Sequence, residues 1–88
     1  MQTVTLSILN SMGLHARPSA KITSLANQYK STIQLIANNK TIDAKSIMQV
    51  MMLAANQGTS IILTADGEDE NDAIKALSAL FDNHFDEK

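Results

Sequence analysis

The stretch GLHARPSA, from Gly13 to Ala20, sets His15, Arg17 and Pro18 close together. A histidine near neutral pH keeps one ring nitrogen unprotonated and nucleophilic, so it can itself accept a phosphoryl group. Arg17 adds a planar guanidinium whose donors match phosphate oxygens. Pro18, which needs no backbone donor, suits the first turn of a helix. There the N–H groups lack intrahelical partners and the helix dipole is positive, so the turn favours an anion. Gly13 supplies a flexible turn just ahead of the histidine. These parts make an anion site around a nucleophilic histidine, with protein groups supplying position and charge. Spacing alone leaves a second reading open, in which a loop histidine beside a helix is a capping or solvated residue.

Two further positions bear on chemistry or contact. Ser46 stands directly before IMQVMMLAA, residues 47–55, and its hydroxyl can cap that short helix, a contribution of about 1 kcal/mol. A short helix in a small domain has room for one buried face. Val50 and Leu53 can point inward while Ile47, Met48 and Met51 form an exposed apolar patch. The other histidine, His84, lies in the acidic run DNHFDEK and reads as a solvated tail residue without a role. No cysteine is present, and one histidine with scattered acids specifies no metal site.

The elements that must position these residues follow from periodicity. Val4, Leu6 and Ile8 alternate with polar neighbours, which predicts a strand over residues 2–8. Ala20, Ile22, Leu25, Ala26 and Tyr29 recur three and four apart, predicting a helix from Pro18 to Tyr29. Residues 32–37 and 40–44 flank Asn38-Asn39, two residues that tolerate the positive φ of a tight hairpin. A fourth strand covers residues 60–65. The final helix is predicted within residues 68–85, with Asp69 as its side-chain cap, Glu70 and Asp72 in its first turn, and Ile74, Leu77, Leu80 and Phe81 as its buried stripe. The order β-α-β-β-α-β-α implies an α+β fold, an antiparallel sheet with helices packed on one face.

Composition narrows the function classes. The chain has 88 residues, read as a single domain over residues 1–88 with a modest core. Seven Lys and Arg against nine Asp and Glu leave a net charge of −2, and one Tyr with two Phe supplies little base-stacking surface, so nucleic acid is a poor partner. The first residues carry no basic n-region and no long apolar run, which predicts no signal peptide and no membrane insertion. With no cysteine framework, a cytoplasmic protein is expected.

The segment Gly13-Leu14-His15-Ala16-Arg17-Pro18, with Ala44-Lys45-Ser46-Ile47-Met48, Gly58 and Asp66-Gly67, resembles the HPr family of phosphocarrier proteins of the bacterial phosphotransferase system, essentially end to end. The resemblance implies an open-faced β-sandwich of four antiparallel strands and three helices. It implies that His15 takes a phosphoryl group on Nδ1 from phospho-enzyme I and passes it to an enzyme IIA-type acceptor, with Arg17 steadying the phosphate. On this reading the chain is a monomeric carrier rather than a stand-alone enzyme, and it needs no cofactor or metal. The resemblance also implies regulatory phosphorylation at Ser46 in some lineages, although Gln49 stands where kinase-regulated members commonly carry glycine. Partners would dock on Ile47, Met48 and Met51 and on the start of the first helix, at Ala16 and Ala20.

Sugar-transport members usually ring the histidine with lysines, whereas Ser24, Asn27 and Gln49 stand here and only Lys21, Lys30 and Lys45 remain. The thin basic rim and the ending ALFDNHFD resemble the nitrogen-related branch. A regulatory protein-binding module on the same fold is the alternative function. Its mark would be loss of the histidine, and His15 is present.

Overall fold

Alternating apolar residues on four strands meet in register and make one face of a sheet. In the computed structural model, which describes residues 1–86, the strands are β1 (Gln2–Ser7), β2 (Thr32–Ala37), β3 (Lys40–Asp43) and β4 (Ser60–Asp66). They form one antiparallel sheet in the order β1-β4-β2-β3. Val4 pairs with Leu63, Leu63 with Leu35, and Leu35 with Ile42, so one apolar row crosses all four strands. Leu63 and Leu35, on the two central strands, are fully buried, while Val4 on the edge is half-buried. The opposite face carries Thr3, Thr5, Ser7 and Gln34 and lies open to solvent. The β2–β3 hairpin closes on Asn38 and Asn39 with φ of 52° and 63°, the left-handed pair expected of a two-residue turn.

The helices are α1 (Ala16–Ala26), α2 (Ile47–Met52) and α3 (Glu70–Asp82), followed by a tight turn at His84–Asp86. All three close over the apolar face, in agreement with the expected β-α-β-β-α-β-α order. Helix α1 buries Pro18, Ser19, Ile22 and Ala26 and ends three residues before Tyr29. Asn27 closes it, its side-chain amide donating to the Thr23 carbonyl at 2.8 Å and to the Lys45 carbonyl at 3.2 Å. Helix α2 is also shorter than its apolar run, because Ala54 turns left-handed at φ 52° and stops it.

Lysines serve the helix ends. Lys45 Nζ donates to the Tyr29 carbonyl beyond α1 at 2.7 Å, Lys40 Nζ to the Met52 carbonyl of α2 at 2.8 Å, and Lys21 Nζ to the Phe85 carbonyl beyond α3 at 2.8 Å. Each places a cation where carbonyls lack intrahelical partners.

Helix α3 corrects three expectations. Its buried stripe is Ala73, Leu77 and Phe81, with Ile74 and Leu80 half-buried at its flanks, because spacing by four keeps a small residue against the sheet. The Asp69 side chain does not cap the helix. It reaches instead to the segment entering β2, accepting from the Lys30 N–H at 2.8 Å, the Ser31 N–H at 3.0 Å and the Ser31 hydroxyl at 2.5 Å. The chain near Gly67 passes so close that a Cβ there would lie 2.7 Å from Ser31 Cα. Finally, the helix does not run on through Phe85. The chain turns left-handed and returns Phe85 to the core, edge-on to Phe81 with ring centroids 4.8 Å apart, while His84 stays exposed.

The Ser31 hydroxyl first, and the Lys30 N–H next, hold the Asp69 carboxyl down to about 2. A carboxyl depressed in the folded state stabilises the fold above its unfolded value of about 3.9 and loses that contribution as the pH falls toward 2. Asp69→Ala should therefore melt at a lower temperature than the parent at pH 7. Between pH 4 and pH 2 its melting point should fall less steeply, which thermal melts at both ends of that window will show.

Candidate phosphoryl-acceptor site

Residues 10–14 fix the approach to His15. The Asn10 side-chain amide donates to the Gly13 carbonyl at 2.8 Å, and the Gly13 N–H returns to the Asn10 carbonyl at 3.2 Å. The Leu14 N–H donates to the Ala55 carbonyl at 2.9 Å, and the Ser19 hydroxyl to the Leu14 carbonyl at 3.3 Å. Asn10, Leu14 and Ser19 are all buried. Gly13 has φ 67°, and a Cβ there would stand 2.4 Å from the Ala55 carbonyl oxygen, so both conformation and space call for glycine. A loop bonded at so many points gives His15 a set position.

His15 is the N-cap residue of α1 through its backbone, the His15 carbonyl accepting from the Ser19 N–H at 3.1 Å. Its side chain is not the cap, so the capping reading of this histidine does not hold. The ring is half-buried, on the rim of an open cleft of about 410 Å³, rather than fully exposed. Asn10, Ser11 and Met12 line the cleft from the loop, Arg17 and Lys21 from the first two turns of α1, and Asp86 from the C-terminal turn. Pro18 lies buried in the first helical turn. Since Pro18 has no N–H, the donors that this turn offers outward are those of Ala16 and Arg17. The arrangement can hold a dianion beside an imidazole.

Helix α2 carries exposed apolar side chains. Ile47 is 38% exposed, Met48 69% and Met51 41%, while Val50 and Leu53 are buried, so the methionines of α2 are surface rather than core. Ala16 and Ala20 are exposed on α1. Two hydrogen bonds orient the pair of helices: Leu14 to Ala55 joins the start of α1 to the end of α2, and Asn27 to Lys45 joins the end of α1 to the start of α2. Met51 thus lies toward the His15 end and Ser46 at the far end. Ser46 is the expected N-cap, its hydroxyl accepting from the Gln49 N–H at 3.4 Å, while the Gln49 side chain accepts from the Asp43 N–H at 2.9 Å.

Sequence reasoning left Met52, which is 62% exposed, outside the expected patch, and it missed Met12, 70% exposed, and Asp86 in the cleft. Lys21, already counted in the basic rim, is placed in the cleft by its spacing of one helical turn from Arg17, a signal the sequence carried. For Asp86 there was none, because its place depends on the left-handed turn. Among the described residues no three His, Cys, Asp or Glu side chains come together as a metal site, and no helix is long and apolar enough to cross a membrane.

Comparison with known proteins agrees over nearly the whole chain. Residues 2–83 match the family model described as the PTS HPr component phosphorylation site. The phosphocarrier protein HPr of Cupriavidus necator is 51% identical over 81 residues, covering 92% of this chain and 91% of that one. That of Pseudomonas aeruginosa is 43% identical over 88 residues, covering 99% and 98%. The crystal structure of HPr-C-His from Thermoanaerobacter tengcongensis superposes with a TM-score of 0.95 at 44% identity, covering 100% of this chain and 99% of that one. Strand order, helix placement and end-to-end sequence likeness lead to one conclusion: the chain belongs to the HPr family, the phosphocarriers of the phosphotransferase system.

Proposed function

We propose that His15 is the phosphoryl acceptor of this carrier, loaded by phospho-enzyme I and unloaded to an enzyme IIA-type protein. The observation that carries the reading is the placement of His15 and Arg17 in one open cleft at the N-terminus of α1. In the loading step the lone pair of His15 Nδ1 forms a new N–P bond while the bond between phosphorus and the donor atom of phospho-enzyme I breaks, its electron pair staying with that donor atom. The proton that the His15 ring gives up passes through solvent to the donor group left behind. The phosphoryl group, carrying about two negative charges, meets the positive end of α1 and the Arg17 guanidinium. Unloading is the same displacement in reverse, onto the acceptor. Both partners need to reach His15, and an open cleft serves that exchange better than an enclosed one.

Partners dock along α1 and α2, through Ala16, Ala20, Ile47, Met48 and Met51. The exposed methionines adapt to two different partner surfaces. A phosphate on Ser46 acts on this docking surface rather than on the chemistry, since six helical residues separate it from the His15 end. It stands at a helix N-terminus, so the fold tolerates it. Ser46→Asp and Met48→Asp should each slow phosphorylation of His15 by enzyme I about tenfold or more, and Ser24→Asp less, with melting temperatures close to the parent. Rates equal to the parent for the first two would return the methionines to a purely structural role.

The acceptor we favour is that of the nitrogen-related branch. Ser24, Asn27 and Gln49 stand around the site in place of lysines, which leaves its rim thinly basic. The experiment loads the full chain with enzyme I and radiolabelled phosphoenolpyruvate, then offers nitrogen-type and sugar-type enzyme IIA proteins in separate reactions. Faster transfer to the nitrogen type is expected. Faster transfer to the sugar type reverses the branch, and no transfer to either contradicts the carrier reading.

A further inference from the structure

We propose that Lys21 is a second phosphate ligand of the carrier site, and that Asp86 holds its ammonium until the phosphoryl group arrives. This rests on the carrier reading of His15. Lys21 lies one helical turn after Arg17 and lines the same cleft as His15. Its ammonium has three donors. One is committed to the Phe85 carbonyl at 2.8 Å, which holds Nζ in place. Asp86 Oδ2 sits 3.6 Å from Nζ, beyond hydrogen-bond length, on a side chain 57% exposed. An ion pair so long and so solvated is weak, and therefore easily exchanged.

The turn that delivers these groups is costly backbone. His84, Phe85 and Asp86 all have left-handed φ, at 54°, 56° and 61°, in a run without glycine. Burial of Phe85 against Phe81 and a hydrogen bond from the Asn83 side chain to Asp86 hold it. A chain that simply ended after α3 would need no such turn. This one brings a carbonyl to Lys21 and a carboxylate to the rim of the phosphoryl cleft.

Before loading, Asp86 offsets the charge of Lys21. When His15 carries a phosphoryl group, about two negative charges enter a cleft that already holds the Asp86 carboxylate. Like charges repel, so the carboxylate moves off and Lys21 turns its remaining donors to the phosphate. Lys21 then stabilises the loaded state and Asp86 opposes it, and their balance sets how readily the group moves on to an acceptor.

The test is the equilibrium constant for phosphoryl exchange between enzyme I and the full chain, measured for the parent, Lys21→Gln, Lys21→Arg, Asp86→Asn and the double variant Lys21→Gln/Asp86→Asn. Lys21→Gln should shift the equilibrium about 2- to 5-fold toward phospho-enzyme I, and Asp86→Asn by a similar factor the other way. Lys21→Arg should stay near the parent, and the Asp86→Asn gain should shrink in the double variant. A merely structural pair would shift both single variants in the same direction. That result, or single variants equal to the parent, overturns this inference while a phosphorylated parent leaves the carrier reading standing. A parent that takes up no phosphate overturns both.

Discussion

Replacing His15 by alanine should abolish phosphoryl acceptance from enzyme I while leaving the fold in place. His15 caps α1 with its backbone carbonyl, and its imidazole is not the capping group, so alanine keeps the hydrogen bond to Ser19. The half-buried ring contributes little packing, and the loss of stability should stay within about 1 kcal/mol. Acceptance should vanish because the ring nitrogen is the nucleophile and alanine supplies none. Arg17→Ala makes the contrast. Its exposed guanidinium complements charge and forms no bond, so phosphorylation should slow by about 10- to 1000-fold and still reach completion. Mass measurement of the intact chain over time, with thermal melts as the folding control, separates total loss from slowing.

Gly13→Ala should damage both stability and the site. A non-glycine residue at φ 67° costs about 1–2 kcal/mol, and the added methyl would meet the Ala55 carbonyl oxygen at 2.4 Å. That oxygen accepts the Leu14 N–H, so relief of the clash breaks the bond that anchors the loop before His15. A total of about 3 kcal/mol is expected, or roughly 10–20 °C in melting temperature for a domain of this size. Phosphorylation should slow as well, because His15 moves with Leu14. Gly58→Ala is the control. Gly58 has φ 89° with nothing near its added Cβ, so that substitution carries the conformational cost alone and leaves the phosphorylation rate near the parent. Equal effects from the two glycines would show that the loop anchor does not position His15.

The elements were legible where periodicity and turn chemistry agree. The apolar alternation of residues 2–8, the short apolar stretches 32–37 and 60–65 and the Asn38-Asn39 hairpin need only local rules, and all appear within a residue of their expected ends. His15, Arg17 and Pro18 were legible because one short segment carries all three. Long-range contacts were not. Asp69 looks like a helix cap by its position, yet its carboxylate finds two N–H groups and a hydroxyl at residues 30 and 31, partners that only the folded chain brings near. Tyr29 continues the period of α1, but the helix stops at Ala26, where Asn27 bonds to Lys45 across the gap to α2. Phe85 lay in an acidic, tail-like run, and its return to the core depends on a left-handed turn without a glycine to announce it.

In the loaded carrier the phosphoryl group should reside on His15 Nδ1. The direct measurement is to load the full chain with enzyme I and phosphoenolpyruvate, place the acid-labile phosphate by peptide mass spectrometry, and assign the nitrogen by 15N NMR of the histidine rings. One phosphoryl group should be found, on Nδ1 of His15, with His84 and Ser46 unmodified. Phosphate on His84, on Ser46, or on neither histidine under these conditions would contradict the account.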